Sequence, residues 1–177
     1  MNWAKRFNQM KTVLKRILYV VLLTLFYFTL WSSFRGMVTT YTVLPQVELA
    51  KEHCNKTIYV DQSRPTSTII HVYNERNEEY DTIYYTTPAG FYLLFGLVFV
   101  ILLGGGTVYY KVLLGYHLGF WVLSIISMMP GFCIHSVFFH ISNLGIIYLT
   151  PFVTFLVIIF LMSPKLLEAF QINGQKK

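Results

Sequence analysis

Residues 17–34, ILYVVLLTLFYFTLWSSF, contain no Asp, Glu, Lys or Arg, and neither do residues 88–110, 112–129 and 144–162. A helix of eighteen residues rises about 27 Å, close to the hydrocarbon thickness of a bilayer. Runs of this kind have no polar face to offer water. Only 12% of the 177 residues are charged, where soluble domains carry roughly 25%. Aromatic residues make up 18%, and Trp and Tyr favour the lipid–water boundary. The pattern predicts an all-α integral membrane protein with four transmembrane helices over these four runs, in a plasma or inner membrane. A cleavable signal peptide would have a shorter apolar core ending in small residues. Phe26-Tyr27-Phe28, Trp31 and Arg35 do not fit that ending, so residues 17–34 read as a permanent anchor.

One long stretch breaks the apolar texture. Residues 36–87 hold Glu48, Glu52, Asp61, Glu75, Glu78, Glu79 and Asp81, all but one of the acidic residues. Val43, Val47 and Ala50 allow a short helix at its start, with Pro45 interrupting the first part. From Thr57 the texture turns to β. Residues 57–60 (TIYV), 68–73 (TIIHVY) and 80–86 (YDTIYYT) are rich in Ile, Val, Thr and Tyr. Asp61 to Pro65 reads as a loop, and Asn74 to Glu79 as a polar hairpin connection. The expectation is a small β-rich insert, a three-stranded antiparallel meander, between the first two spans. An insert this small buries little surface and must lean on the spans, a second copy or a partner.

Cation placement sets the expected orientation. With both termini cytoplasmic, the inner edges hold Lys5, Arg6, Lys11, Lys15, Arg16, Lys111, Lys165, Lys176 and Lys177, with Glu168 the sole acid. The insert then lies outside, in keeping with the positive-inside bias. Residues 1–16 place Trp3, Phe7, Met10 and Leu14 at helical spacing and read as an amphipathic surface helix. Residues 130–143 read as an apolar connector on the outer face. Residues 163–177 read as a cytoplasmic tail whose helix starts at Ser163-Pro164. The net charge of +6 follows the ends of the spans and forms no stripe on a soluble surface, so nucleic acid is not an expected partner. The layout resembles that of claudin-like proteins: four spans, inside termini and a β-containing first outer loop. Of the Trp-Gly-Leu-Trp-Cys-Cys signature of that group, the chain has only Trp31 and Cys54.

Sites are sparse. Cys133, His135 and His140, with Ser136 and Asn143, form the best polar cluster, in which a thiol beside imidazoles is a candidate nucleophile and base. Cys54 and Cys133 are either free thiols or one disulfide. Asn55-Lys56-Thr57 fits a glycosylation acceptor. Gly115 and Gly119 have the small-xxx-small spacing that brings two helices close. His117 reads as a helix-packing residue. His53 and His71 do not complete a metal ligand set, and no cofactor or metal is implied. The expected function is a non-enzymatic accessory or scaffold subunit that presents the β module to a protein partner, or to another copy through the insert or the third span. The alternatives are a surface enzyme built on Cys133, His135 and His140, and a component of an oligomeric channel or transporter.

Overall fold

The computed structural model describes residues 3–54, 57–64, 67–73 and 79–174. One uninterrupted helical rod runs from Trp3 to His53. It comprises α1 (Trp3–Phe26), a π-helical turn (Tyr27–Trp31), α2 (Ser32–Val38), a second π turn (Thr39–Val43) and α3 (Leu44–His53). The amphipathic stretch, the anchor and the start of the insert, separate in the sequence reading, are therefore one element.

The π turns have a geometric cause. Tyr27, Arg35, Thr39, Val43 and Val47 are buried and Trp31 is half-buried, a stripe that repeats every four residues. In an α-helix each residue turns about 100°, so a step of four overshoots by about 40°, and five steps drift about 200°. Each one-residue π insertion takes back about 100°. Two of them hold Tyr27 through Val47 on one face. The same device recurs at Gly145–Leu149, where Ser142, Ile146, Thr150, Thr154 and Ile158 are buried at spacing four. Pro45 and Pro151 each follow a π turn by two residues. The wider turn gives room to the carbonyl that a proline ring would otherwise crowd. Pro45 consequently does not break the helix.

The three strands β1 (Thr57–Arg64), β2 (Ser67–Tyr73) and β3 (Glu79–Thr86) form an antiparallel sheet in the order β1-β2-β3. The meander is thus present, with β1 reaching four residues into the stretch expected as loop and pairing Arg64 with Ser67. Register pairs Ile58 with Val72 and Ile70 with Ile83. These four side chains and Tyr85 are buried against Val43 of the second π turn, Val47 and Ala50 of α3, and Met128, Phe132 and Phe139. The sheet leans on helices of its own chain. Each fully buried Ile or Val there contributes about 1.5–3 kcal/mol.

Downstream come α4 (Phe91–Leu103), α5 (Thr107–Cys133), α6 (Val137–Leu144) and α7 (Thr150–Gly174). Among the described residues, three stretches are long and apolar enough to cross a membrane: Arg6–His53, Thr107–Cys133 and Val137–Pro164. The run at 88–110 differs from expectation. Its helix has only 13 residues, about 20 Å against about 30 Å of hydrocarbon. Gly104, at φ 71°, ends it in the left-handed conformation that residues with a Cβ avoid. Arg16 sits against that end and donates from Nη1 to Leu102 O at 3.1 Å, a cation at a helix C-terminus. Two further boundaries move. Helix α5 absorbs Pro130 and ends at Cys133, so residues 130–143 are not a separate connector: α6 opens the last helical rod. That rod continues through Pro164 to Gly174 with no new start at Ser163. The lower core joins Leu93 and Val100 of α4 to Leu113, Val157 and Leu161.

Cys54 and Cys133 form a disulfide with Cα atoms 4.9 Å apart. It ties the end of the first rod to the end of α5, across a sequence separation of 79. Closing a loop of that size restricts the unfolded chain, and such a bridge is typically worth about 2–5 kcal/mol. Cys54→Ser is expected to lower the thermal midpoint in detergent accordingly, and wild type should migrate faster on non-reducing than on reducing gels.

Glycine substitutions separate the close helix contacts from the open ones. A Cβ at Gly131 would lie 2.8 Å from Phe139 Cβ, whereas at Gly115 or Gly119 it would meet nothing within 4 Å among the described residues. Gly131→Ala should destabilise by about 1–3 kcal/mol, while Gly115→Ala should leave stability unchanged or raised by about 0.5–1 kcal/mol. Thermal unfolding of the two variants side by side checks this.

Candidate functional site

The polar cluster singled out in the sequence lies where α5 and α6 meet the sheet. Cys133 Sγ is bonded to Cys54, so it is not a thiolate there. His135 Nδ1 accepts the Val137 N–H at 3.2 Å, closing the start of α6. His140 Nε2 lies 2.9 Å from Asp81 Oδ2 on β3. Asn143 Nδ2 donates to Tyr84 O at 2.5 Å. The last contact gives an acceptor at the sheet edge a partner, which strand edges otherwise lack. Of the cluster, His140 and Asn143 fasten α6 to β3, while Cys133 ties α5 to the first rod. Gly115 and Gly119 are exposed on α5, while His117 between them is buried. Asn55 lies outside the described residues.

A second polar centre carries more charge. Arg35 is only 6% exposed. Its Nε donates to Pro88 O at 2.9 Å and its Nη2 to Thr87 O. One turn earlier, Trp31 Nε1 donates to Ala89 O at 2.9 Å, and one turn later the Thr39 and Thr87 hydroxyls share a hydrogen bond. Three residues at i, i+4 and i+8 of the first rod therefore hold the connector between β3 and α4. That connector has few backbone partners of its own. Pro88 has no N–H, and Ala89 sits at φ 58°, where an L-residue is strained by about 1–2 kcal/mol. Its carbonyls need donors, and buried carbonyls are almost always given them.

The surroundings of Arg35 are short of negative charge. Tyr27, Tyr85 and His117 lie within its electrostatic reach, and all are neutral dipoles or weak acids. Among the described residues no carboxylate forms an ion pair with it; the pairs present are Lys51–Glu48 and His140–Asp81. Burying an uncompensated charge ordinarily costs several kcal/mol. Arg35 also lines a 460 Å³ cavity, together with Thr86, Thr87, Phe91, Tyr92 and Ile147. Nearby side chains leave buried polar atoms without partners: His117 Nε2 and Trp121 Nε1.

The outer face of the sheet is the third feature. Tyr59 is 61% and Tyr84 59% exposed. Tyr59 packs edge-on to Tyr73 with centroids 5.4 Å apart. His71 sits directly across from Tyr59 and Thr82. No protein family, curated protein or solved structure matches the chain.

In the sequence Arg35 stands out only as a charge that closes the apolar run 17–34. Its signal was the Trp31–Arg35–Thr39 spacing within residues 17–47, a stretch otherwise free of charge. Asp81 was legible only as part of an acidic stretch. Burial raises its pKa, yet hydrogen bonds from Ser136 and His140, the His140 charge and the Thr82 N–H outweigh that and hold the carboxyl below its ordinary value. Its folded pKa lies below the unfolded one. The stabilisation is therefore present above the unfolded value and disappears as pH falls through the folded value. Wild type should lose stability below about pH 4 more steeply than Asp81→Asn, as measured by denaturant unfolding from pH 6 to pH 2.

Proposed function

We propose that the chain is an integral membrane protein with four crossing segments, both termini cytoplasmic and residues 36–87 outside. In this reading it acts as a non-enzymatic accessory or scaffold subunit that presents its sheet to a protein partner. The short α4 completes its crossing with residues 88–90 and 104–106 at its ends. The disulfide supports the outside placement, because such bonds persist in oxidising compartments. The cation asymmetry supports the orientation.

The observation that carries the functional reading is the contrast between the two faces of the sheet. The inner face is packed on α3, α5 and α6 and fastened by the disulfide, the Arg35 contacts and the His140–Asp81 pair. The outer face leaves Tyr59 and Tyr84 in the open. Rigid tyrosines supply contact area at low entropic cost, and they are enriched in binding surfaces. A sheet held this firmly, with its aromatic side turned outward, is suited to docking. Gly115 and Gly119, exposed on α5, offer a second contact, where a helix of a partner or of another copy could approach closely.

The double variant Tyr59→Ala, Tyr84→Ala should reduce partner recovery from native membranes by about tenfold or more, with membrane level and thermal midpoint unchanged. Undiminished recovery would refute the reading. The orientation has its own check. A cysteine placed at Tyr84 should react with an impermeant maleimide on intact cells, and one at Lys111 should not.

A further inference from the structure

Three features meet at one place, and their charges do not balance. The first is the Arg35 guanidinium, more than nine-tenths buried and without an ion-pair partner among the described residues. Of its five N–H donors, the Thr87 and Pro88 carbonyls take two. The second is the start of α4. Gly90 gives it no side-chain cap, and the Gly90 carbonyl is taken by the Leu93 and Leu94 N–H groups. The N–H groups of Phe91 and Tyr92, in the first turn, have no intrahelical acceptor. A helix N-terminus carries partial positive charge, so a guanidinium beside it is a like-sign neighbour. A side chain at Gly90 would come within 3.1 Å of Arg35 Nη2, so the bare glycine is what admits the cation. The contrast with the other end of α4 is direct: there Arg16 meets the Leu102 carbonyl, where a cation belongs.

The third feature is the 460 Å³ cavity, which Arg35, Phe91 and Tyr92 all line. Its volume falls in the range of small-molecule pockets, about 300–1,000 Å³. One cation among lining residues that are otherwise aromatic, aliphatic or uncharged defines the ligand chemistry: an anion attached to an apolar body.

We propose that this cavity binds an anionic phosphate group carried on a membrane phospholipid. Arg35 is its charge partner, the first turn of α4 supplies backbone donors, and Phe91 and Ile147 flank the start of the acyl chains. Phosphate suits both donor types, because guanidinium groups and helix N-termini each present converging N–H groups to its oxygens. In the proposed topology Arg35 follows residues 17–34 directly, which sets it at headgroup depth on the outer side. The inference therefore rests on the membrane placement but not on any partner protein, and failure of the sheet-docking reading would leave it intact.

The test uses the full chain, purified and delipidated in detergent. Its thermal midpoint is followed against added phosphatidylglycerol, diacylglycerol of the same chains, and inorganic phosphate. Phosphatidylglycerol should raise the midpoint saturably, and diacylglycerol should not. Arg35→Gln should weaken the half-saturating response about tenfold or more, with Arg35→Lys falling between. Ile147→Trp, which fills the cavity wall without touching the guanidinium, should blunt the response even if Arg35→Gln fails to fold. Equal responses to phosphatidylglycerol and diacylglycerol would overturn the site, as would wild-type behaviour of Ile147→Trp or of a folded Arg35→Gln. A full shift from inorganic phosphate alone would overturn the lipid as its source.

Discussion

The structure hangs on the face of the first rod that carries Trp31, Arg35 and Thr39. These three side chains reach the Thr87–Ala89 segment. That segment is where a sheet must hand over to a helix. Its backbone is bent, partly without N–H groups and buried, so it cannot satisfy itself. Without donors from the first rod, β3 and α4 would have no fixed relation, and neither would the two cores they head. The upper core joins the sheet to α3 and α5, and the lower one joins α4 to α5 and α7. One polar seam between them sets their mutual position.

The π turns belong to the same logic. A stripe at strict spacing of four cannot stay on one side of an α-helix for five turns. The first rod nevertheless needs Tyr27 and Trp31 toward the lower bundle, Arg35 and Thr39 at the seam, and Val43 and Val47 under the sheet. Inserting one residue twice reconciles these needs. In effect the helix trades regular hydrogen bonding for alignment, as wide turns do elsewhere.

Much of this fold could be read in the residues, and the unread parts have physical reasons. Charge-free runs and β-branched stretches are local signals, so the long apolar helices and the three strands were legible. The length of α4 was not, because Pro88–Gly90 and Gly104–Gly106 are as uncharged as the helix they bound, and hydropathy does not see a left-handed glycine. The disulfide was open because cysteine spacing carries no distance information once helices intervene. At the candidate site, His135, His140 and Asn143 were visible as a cluster. The partners of His140 and Asn143, Asp81 and Tyr84, stand about sixty residues earlier in the chain, and only strand register brings them near. Arg35 was the hardest to read. A cation at the end of an apolar run is ordinarily a flanking charge, and nothing local marks one that turns inward.

Arg16 and Arg35 of the first rod act as the jaws of a caliper. Arg16 grips the far end of α4 and Arg35 the segment that leads into it. Nineteen residues of one rod separate them, roughly 28 Å at helical rise, so the opening of the jaws is built into an element without a loop. A residue inserted in α4 would no longer fit, unless the rod between the jaws grew by a matching amount. Length changes in these two distant segments should therefore be tolerated only in pairs, a form of covariation written in spacing and not in side-chain identity.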